Sequence, residues 1–163
     1  MDFTNSQKQK TTNIKDIELQ KFKEKYLLNQ SNFFKDIFLD FIKSIEILDK
    51  SVSKKNKKFE FTTILIFTEK SSNLFGITHG GGITTVMESL SEISLKYLFE
   101  IETFTSDVNI NFLKQTNLNE ELRFVLNIEK MGYKSYYIDA ALYGKNGDLN
   151  VHANFIKNKI KAK

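Results

Sequence analysis

The stretch SSNLFGITHGGGITTVMESL, Ser71 to Leu90, constrains the fold more than any other part of the chain. It gathers four of the seven glycines and leads directly into an apolar helix. Ile83, Val86, Met87, Leu90, Ile93, Ser94, Tyr97 and Leu98 recur at i, i+3 and i+4, the spacing of one helical face. The stripe is broad, which predicts a helix packed as a central element rather than one lying on a surface.

Strands surround it. Ile42–Lys50 changes to period two, Ser53–Lys58 is a polar turn, and Phe59–Lys70 is rich in β-branched and aromatic residues. Beyond the helix, Asp107–Leu113, Glu121–Lys130, Lys134–Tyr143 and Leu149–Lys157 alternate apolar and polar residues, with turns at Met131-Gly132 and at Gly144–Gly147. Four strands in tandem predict an antiparallel meander. With no internal repeat and no linker, the whole reads as one α+β unit, a sheet wrapped around a single helix. Before it, residues 1–12 read as a disordered polar tail. Residues 13–43 read as a helical extension carrying Phe33, Phe34, Phe38 and Phe41, leaving 44–160 as the domain.

Composition excludes several chemistries. The chain has 163 residues, enough for one core. It has no cysteine, which removes disulfides, thiolate nucleophiles and thiolate metal sites; its two histidines cannot make a zinc site alone, and no metal is expected. The net charge of +4 comes almost wholly from lysine, Arg123 being the one arginine, which argues against a nucleic-acid reader and suits a phosphorylated small ligand. The aromatic run Phe33–Ile42 is interrupted by Lys35, Asp36 and Asp40, so no membrane span is expected there. These features predict a soluble cytoplasmic protein, with an organelle left open.

Glycines opening a helix let backbone approach a ligand closely. The unpaired N–H groups and the positive end of the helix dipole favour an oxygen that develops negative charge. The triplet alone is equally consistent with a tight strand-to-helix turn. No G-x-G-x-x-G, Walker loop or G-x-S-x-G elbow is present. Glu88 lies eight residues past Gly80, about 80° round the helix at the edge of the apolar stripe. By itself it would pair with Glu92, one turn on, as a solvated face, and Glu92→Gln would be nearly silent.

The pattern Asn73-Leu74-Phe75-Gly76-x-x-His79-Gly80-Gly81, followed by an apolar helix with Glu88, resembles the signature of hotdog-fold acyl-CoA thioesterases. The type is that of the phenylacetic-acid-pathway thioesterases and acyl-CoA thioesterase 13, also called thioesterase superfamily member 2. The likeness extends over about Ile45–Lys157, including the Asp107-Val108-Asn109-Ile110 strand and the Lys130-Met131-Gly132 turn.

The resemblance implies a hotdog fold, a dimer or dimer of dimers with sites shared between subunits, and hydrolysis of a medium- to long-chain fatty acyl-CoA. Coenzyme A enters as part of the substrate and no separate cofactor is implied. Gly80 matches the glycine whose N–H polarises the thioester carbonyl, and His79 the histidine that shapes its loop. Asn73 matches the asparagine that positions the carbonyl or the water. Glu88 matches the catalytic acid, as base or nucleophile, where close relatives carry aspartate. Thr105 aligns with an assisting serine, and Ser106 stands one residue away. Gly81 and the lysines Lys130, Lys134 and Lys157, with Lys159, match positions lining the coenzyme A mouth, although each lysine read singly is a solvated surface residue. His152 reads as a surface or interface residue. Two alternatives stay open: an acyl-CoA-binding hotdog without turnover, and the hydratase/dehydratase branch of the same fold, which usually uses a proline-containing loop that this chain lacks.

Overall fold

The computed structural model describes residues 41–53 and 58–160, so the expected tail, the extension up to residue 40 and most of the polar turn lie outside the described residues. Strand β1 (Ile42–Ser53) begins two residues inside the expected extension. It pairs antiparallel with β2 (Lys58–Phe67), with Ile45 opposite Leu65 and Ser51 opposite Glu60. A 3-10 turn at Glu69–Ser71 and a loop then lead into helix α1 (Gly80–Phe99), which closes with Glu100 in the left-handed region at φ 56°. Four more strands follow: β3 (Thr103–Phe112), β4 (Glu121–Met131), β5 (Ser135–Tyr143) and β6 (Leu149–Lys159).

Among the described residues, six strands form one antiparallel sheet in the order β1-β2-β4-β5-β6-β3. The expected four-strand meander is therefore corrected: β4, β5 and β6 are a meander, but β3 pairs with β6 at the far edge rather than with β4. The reason is long-range. Helix α1, about 30 Å long at 1.5 Å per residue, carries the chain across the sheet. The segment after β3 then returns over the strand ends. Leu113 and Lys114 donate to the carbonyl of Asn150, Thr116 accepts from the N–H of Thr78, and Asn119 donates to Phe67 at the end of β2. Each step is held by a hydrogen bond to an element remote in sequence, so local periodicity carries no sign of it.

The core lies between the helix and one sheet face. Val86, Met87, Leu90 and Ile93 of α1 are buried together with Phe61, Leu65, Phe124, Leu126, Ile138 and Phe155 from four strands. Ala140 and Ala153 stand opposite each other in β5 and β6, and these small side chains let the helix lie close to the sheet. On edge strand β3, Phe104, Val108 and Phe112 are exposed, in contrast to the interior strands.

Candidate active site

Two groups of residues flank α1. The first is the loop that delivers the chain to the helix. Asn73 shapes it: its side-chain oxygen accepts from the N–H of Phe75 at 2.8 Å and of Ile77 at 3.3 Å, while its own N–H donates to the Ile77 carbonyl at 2.8 Å. The turn needs Gly76, whose φ of +73° is costly for other residues. His79 is the N-cap, an uncommon choice that works because Nδ1 accepts from the Gly81 N–H at 2.9 Å. The N–H of Gly81 is thus spent on the cap. Those of Gly80 and Gly82, in the first turn, have no intrahelical acceptor by helix geometry. A recess of about 610 Å³ is lined by Ser72, Asn73, Leu74, Phe75, His79 and Gly80, so three of the expected site residues meet there.

The second group sits two turns further on. The Glu88 side chain is 37% exposed, and Thr105 on β3 donates a 2.6 Å hydrogen bond to its Oε1. A register shift between Thr105 and Asp107 sets this contact: the bulge at Ser106 turns Thr105 toward the helix and sends the Ser106 hydroxyl to the carbonyl of Ile156. Of the two hydroxyls, it is therefore that of Thr105 that reaches Glu88.

Lys157 differs from its expected setting. The reading of it as a solvated lysine at a ligand mouth is corrected, because its side chain is fully buried beneath α1. Its Nζ lies 2.6 Å from Thr105 Oγ1, 3.2 Å from the Glu88 backbone carbonyl and 3.3 Å from Glu92 Oε1. Glu92 is corrected with it, being no free member of a solvated face. Burial raises the Glu92 pKa above its usual value, an effect that Lys157 opposes and Glu88 reinforces. Burial likewise lowers the pKa of Lys157, opposed by Glu92 and then Glu88. The sequence did hold a signal for this: Val151, Ala153 and Phe155 alternate onto the buried face, and Lys157 is the next member of that series.

Lys130 and Lys134 are exposed, and the structure does not bring them to either group. Lys134 instead lines a separate recess of about 920 Å³ with Phe104, Tyr133, Ser135, Asn158 and Lys159. His152, on the strand interior, contacts Asp139 at 2.7 Å, and Asn154 donates to the same oxygen. Among the described residues no cluster could hold a metal ion, and no helix is long and apolar enough to cross a membrane.

Known proteins reproduce this architecture. A hypothetical thioesterase of Streptococcus pneumoniae TIGR4, solved with coenzyme A, superposes with a TM-score of 0.67 at 18% identity, covering 80% of this chain and 97% of that one. Thioesterase superfamily member 2 of Mus musculus gives 0.68 at 20% identity, covering 85% and 95%. This chain has the hotdog fold. The PaaI protein of the phenylacetic acid degradation operon of E. coli shares that fold at 0.61 and 12% identity, covering 73% and 81%. The thioesterase superfamily model matches residues 75–151, from the Asn73 loop into β6, so the hotdog resemblance read from the residues is found in both sequence and shape. No curated protein sequence gives a significant match.

Proposed function

We propose that this protein is an acyl-CoA thioesterase that hydrolyses a medium- to long-chain fatty acyl-CoA to the free acid and coenzyme A. The carrying observation is the Glu88 carboxylate, held by the Thr105 hydroxyl at 2.6 Å yet more than a third exposed. A base needs that combination of fixed aim and access to water. In the proposed reaction Glu88 takes a proton from water as the water oxygen attacks the thioester carbon. The Gly80 N–H, at the positive end of α1, stabilises the carbonyl oxygen as it becomes negative. The C–S bond then breaks, and the thiolate leaves with the proton that Glu88 took from water, which restores the carboxylate. A positioned base is worth ~10²- to 10⁴-fold and one oxyanion donor roughly 3 to 4 kcal/mol.

Gly80 and Glu88 are eight residues apart on one helix, about 12 Å along its axis, which is a long span for one thioester carbon. We therefore propose that each site takes its oxyanion loop from one subunit and its carboxylate from another. The exposed Phe104, Val108 and Phe112 on the unpaired edge of β3 support a second copy docking there. The coenzyme A in the S. pneumoniae structure supports the substrate class. A panel of acyl-CoAs assayed for free thiol, with wild type and Glu88→Gln, tests the proposal. Binding without turnover in the wild type would favour a non-catalytic acyl-CoA carrier.

A further inference from the structure

The three hydrogens of the Lys157 ammonium have three acceptors within reach: Thr105 Oγ1 at 2.6 Å, the Glu88 carbonyl at 3.2 Å and Glu92 Oε1 at 3.3 Å. An ammonium donates and cannot accept, whereas a threonine hydroxyl has a single proton to give. With its lone pair facing Lys157, the Thr105 hydroxyl must direct that proton elsewhere, and Glu88 Oε1 lies 2.6 Å away. We propose that Lys157 is a positioning residue for the hydrolysis, fixing the direction of the Thr105 hydroxyl and through it the Glu88 carboxylate that receives the proton from water. This rests on the thioesterase reading above.

The surroundings fit a buried charge with a task. Lys157 is fully buried, so its ammonium survives only because two carboxylates and a hydroxyl compensate its desolvation. The ionisable groups that face it are Glu88 and Glu92 from α1, with Tyr136 opposite it on β5, while β3 presents the Thr105 hydroxyl. On its own strand, the Phe155 ring centroid lies 5.3 Å from Nζ. Hydrophobic burial alone would be served better by methionine, which has similar length and no charge to desolvate. A neutral amine could accept from Thr105 as well as donate to it, so only the charged form forces the hydroxyl to point at Glu88.

The test uses the full chain and saturated acyl-CoAs from butyryl- to palmitoyl-CoA, with kcat and KM determined on the one turned over fastest. Lys157→Met should lower kcat by ~10- to 100-fold and leave KM within about threefold, because the loss lies in the aim of the base rather than in binding. Added to Thr105→Val, it should cost less than about threefold more, since both remove the same link. Lys157→Met/Glu92→Gln, which leaves no unpaired buried carboxylate at Glu92, should show the same kcat loss with a cooperative melting transition.

The wild type itself gives a measurement that needs no substitution at Lys157. After subtraction of spontaneous hydrolysis, kcat should fall with rising pH below 10.5, where burial brings Lys157 to lose its proton, and Thr105→Val should lack that limb. A folded Lys157→Met enzyme with normal kcat, full multiplication of the Lys157 and Thr105 effects, or an identical alkaline limb in Thr105→Val would each overturn the proposal. Normal turnover in the Lys157 variants beside an inactive Glu88→Gln would remove Lys157 alone. A wild type that releases no thiol from any substrate would remove the thioesterase reading and this role with it.

Discussion

The Thr105 hydroxyl on β3 and the Glu88 carboxylate on α1, seventeen residues apart in sequence, meet at 2.6 Å, and the fully buried Lys157 meets the same hydroxyl from β6. Three elements thus converge on one carboxylate two turns into the helix. A solvated glutamate would not draw such an arrangement.

The bulge at Ser106 makes the two neighbouring hydroxyls unequal. Thr105→Val should lower kcat by about tenfold or more, and Thr105→Ser should retain most of the activity because it keeps the donor. Ser106→Ala should be nearly silent, its hydroxyl serving only the Ile156 carbonyl. Steady-state kinetics on the three proteins checks this, and an inactive Ser106→Ala beside an active Thr105→Val would reverse the assignment.

Gly80 admits a sharper test than alanine. An alanine keeps the backbone N–H. The nearest atoms to its Cβ would be those of the Phe112 ring, at 3.2 Å, and that half-exposed ring can move aside. Proline is accepted at the first helical position, and His79 before it already has the extended φ of −69° and ψ of 134° that a residue preceding proline favours. Gly80→Pro should therefore fold, lose the donor and lower kcat by ~10²- to 10³-fold. Gly82→Ala, whose Cβ would make ordinary contact with Ser71, is the control for crowding. Full activity in a folded Gly80→Pro protein would reduce the glycines to a turn.

Much of the fold was legible because its signals are local. The apolar stripe from Ile83 to Leu98 falls within the observed Gly80–Phe99 helix, alternation located five of the described strands, and the β-branched and aromatic content of Phe59–Lys70 located β2. The position of β3 was not legible, since its pairing with β6 depends on where α1 delivers the chain and on hydrogen bonds from the return segment to Asn150, Thr78 and Phe67. In the site, Asn73, His79 and Gly80 form a motif short enough to read directly. The burial and pairing of Glu92 and Lys157 arise from a helix lying across a strand, although the alternation through Phe155 pointed Lys157 inward.

Glu92 gives a pH-dependent stability signature. Burial raises its folded pKa, so the folded state binds its proton more tightly than the unfolded chain does. Its favourable contribution is complete below the ordinary value of 4.5 and is lost as pH rises through the raised folded value. Lys157 has a depressed folded pKa. Its contribution is complete above 10.5 and is lost as pH falls through the lowered value. Glu92→Gln should accordingly flatten the decline in Tm that accompanies a rise in pH above 4.5. Thermal melts across the pH range check this, and superimposable profiles for wild type and variant would contradict it.

Assembly should accompany activity. Light scattering at assay concentration should report a dimer or tetramer, and Val108→Lys on the exposed edge of β3 should shift the population toward monomer with a parallel loss of turnover. A fully active monomer would contradict the shared site.

The most direct measurement is thiol release from the acyl-CoA panel by wild type and Glu88→Gln, each verified as folded. The substitution keeps the side chain's size and its ability to accept from Thr105 while removing the carboxylate that takes the proton. Turnover by the wild type and a kcat lower by ~10²-fold or more in Glu88→Gln, with KM little changed, is the predicted result. A folded Glu88→Gln protein within about threefold of wild type would exclude Glu88 as the base and contradict the mechanism built on it.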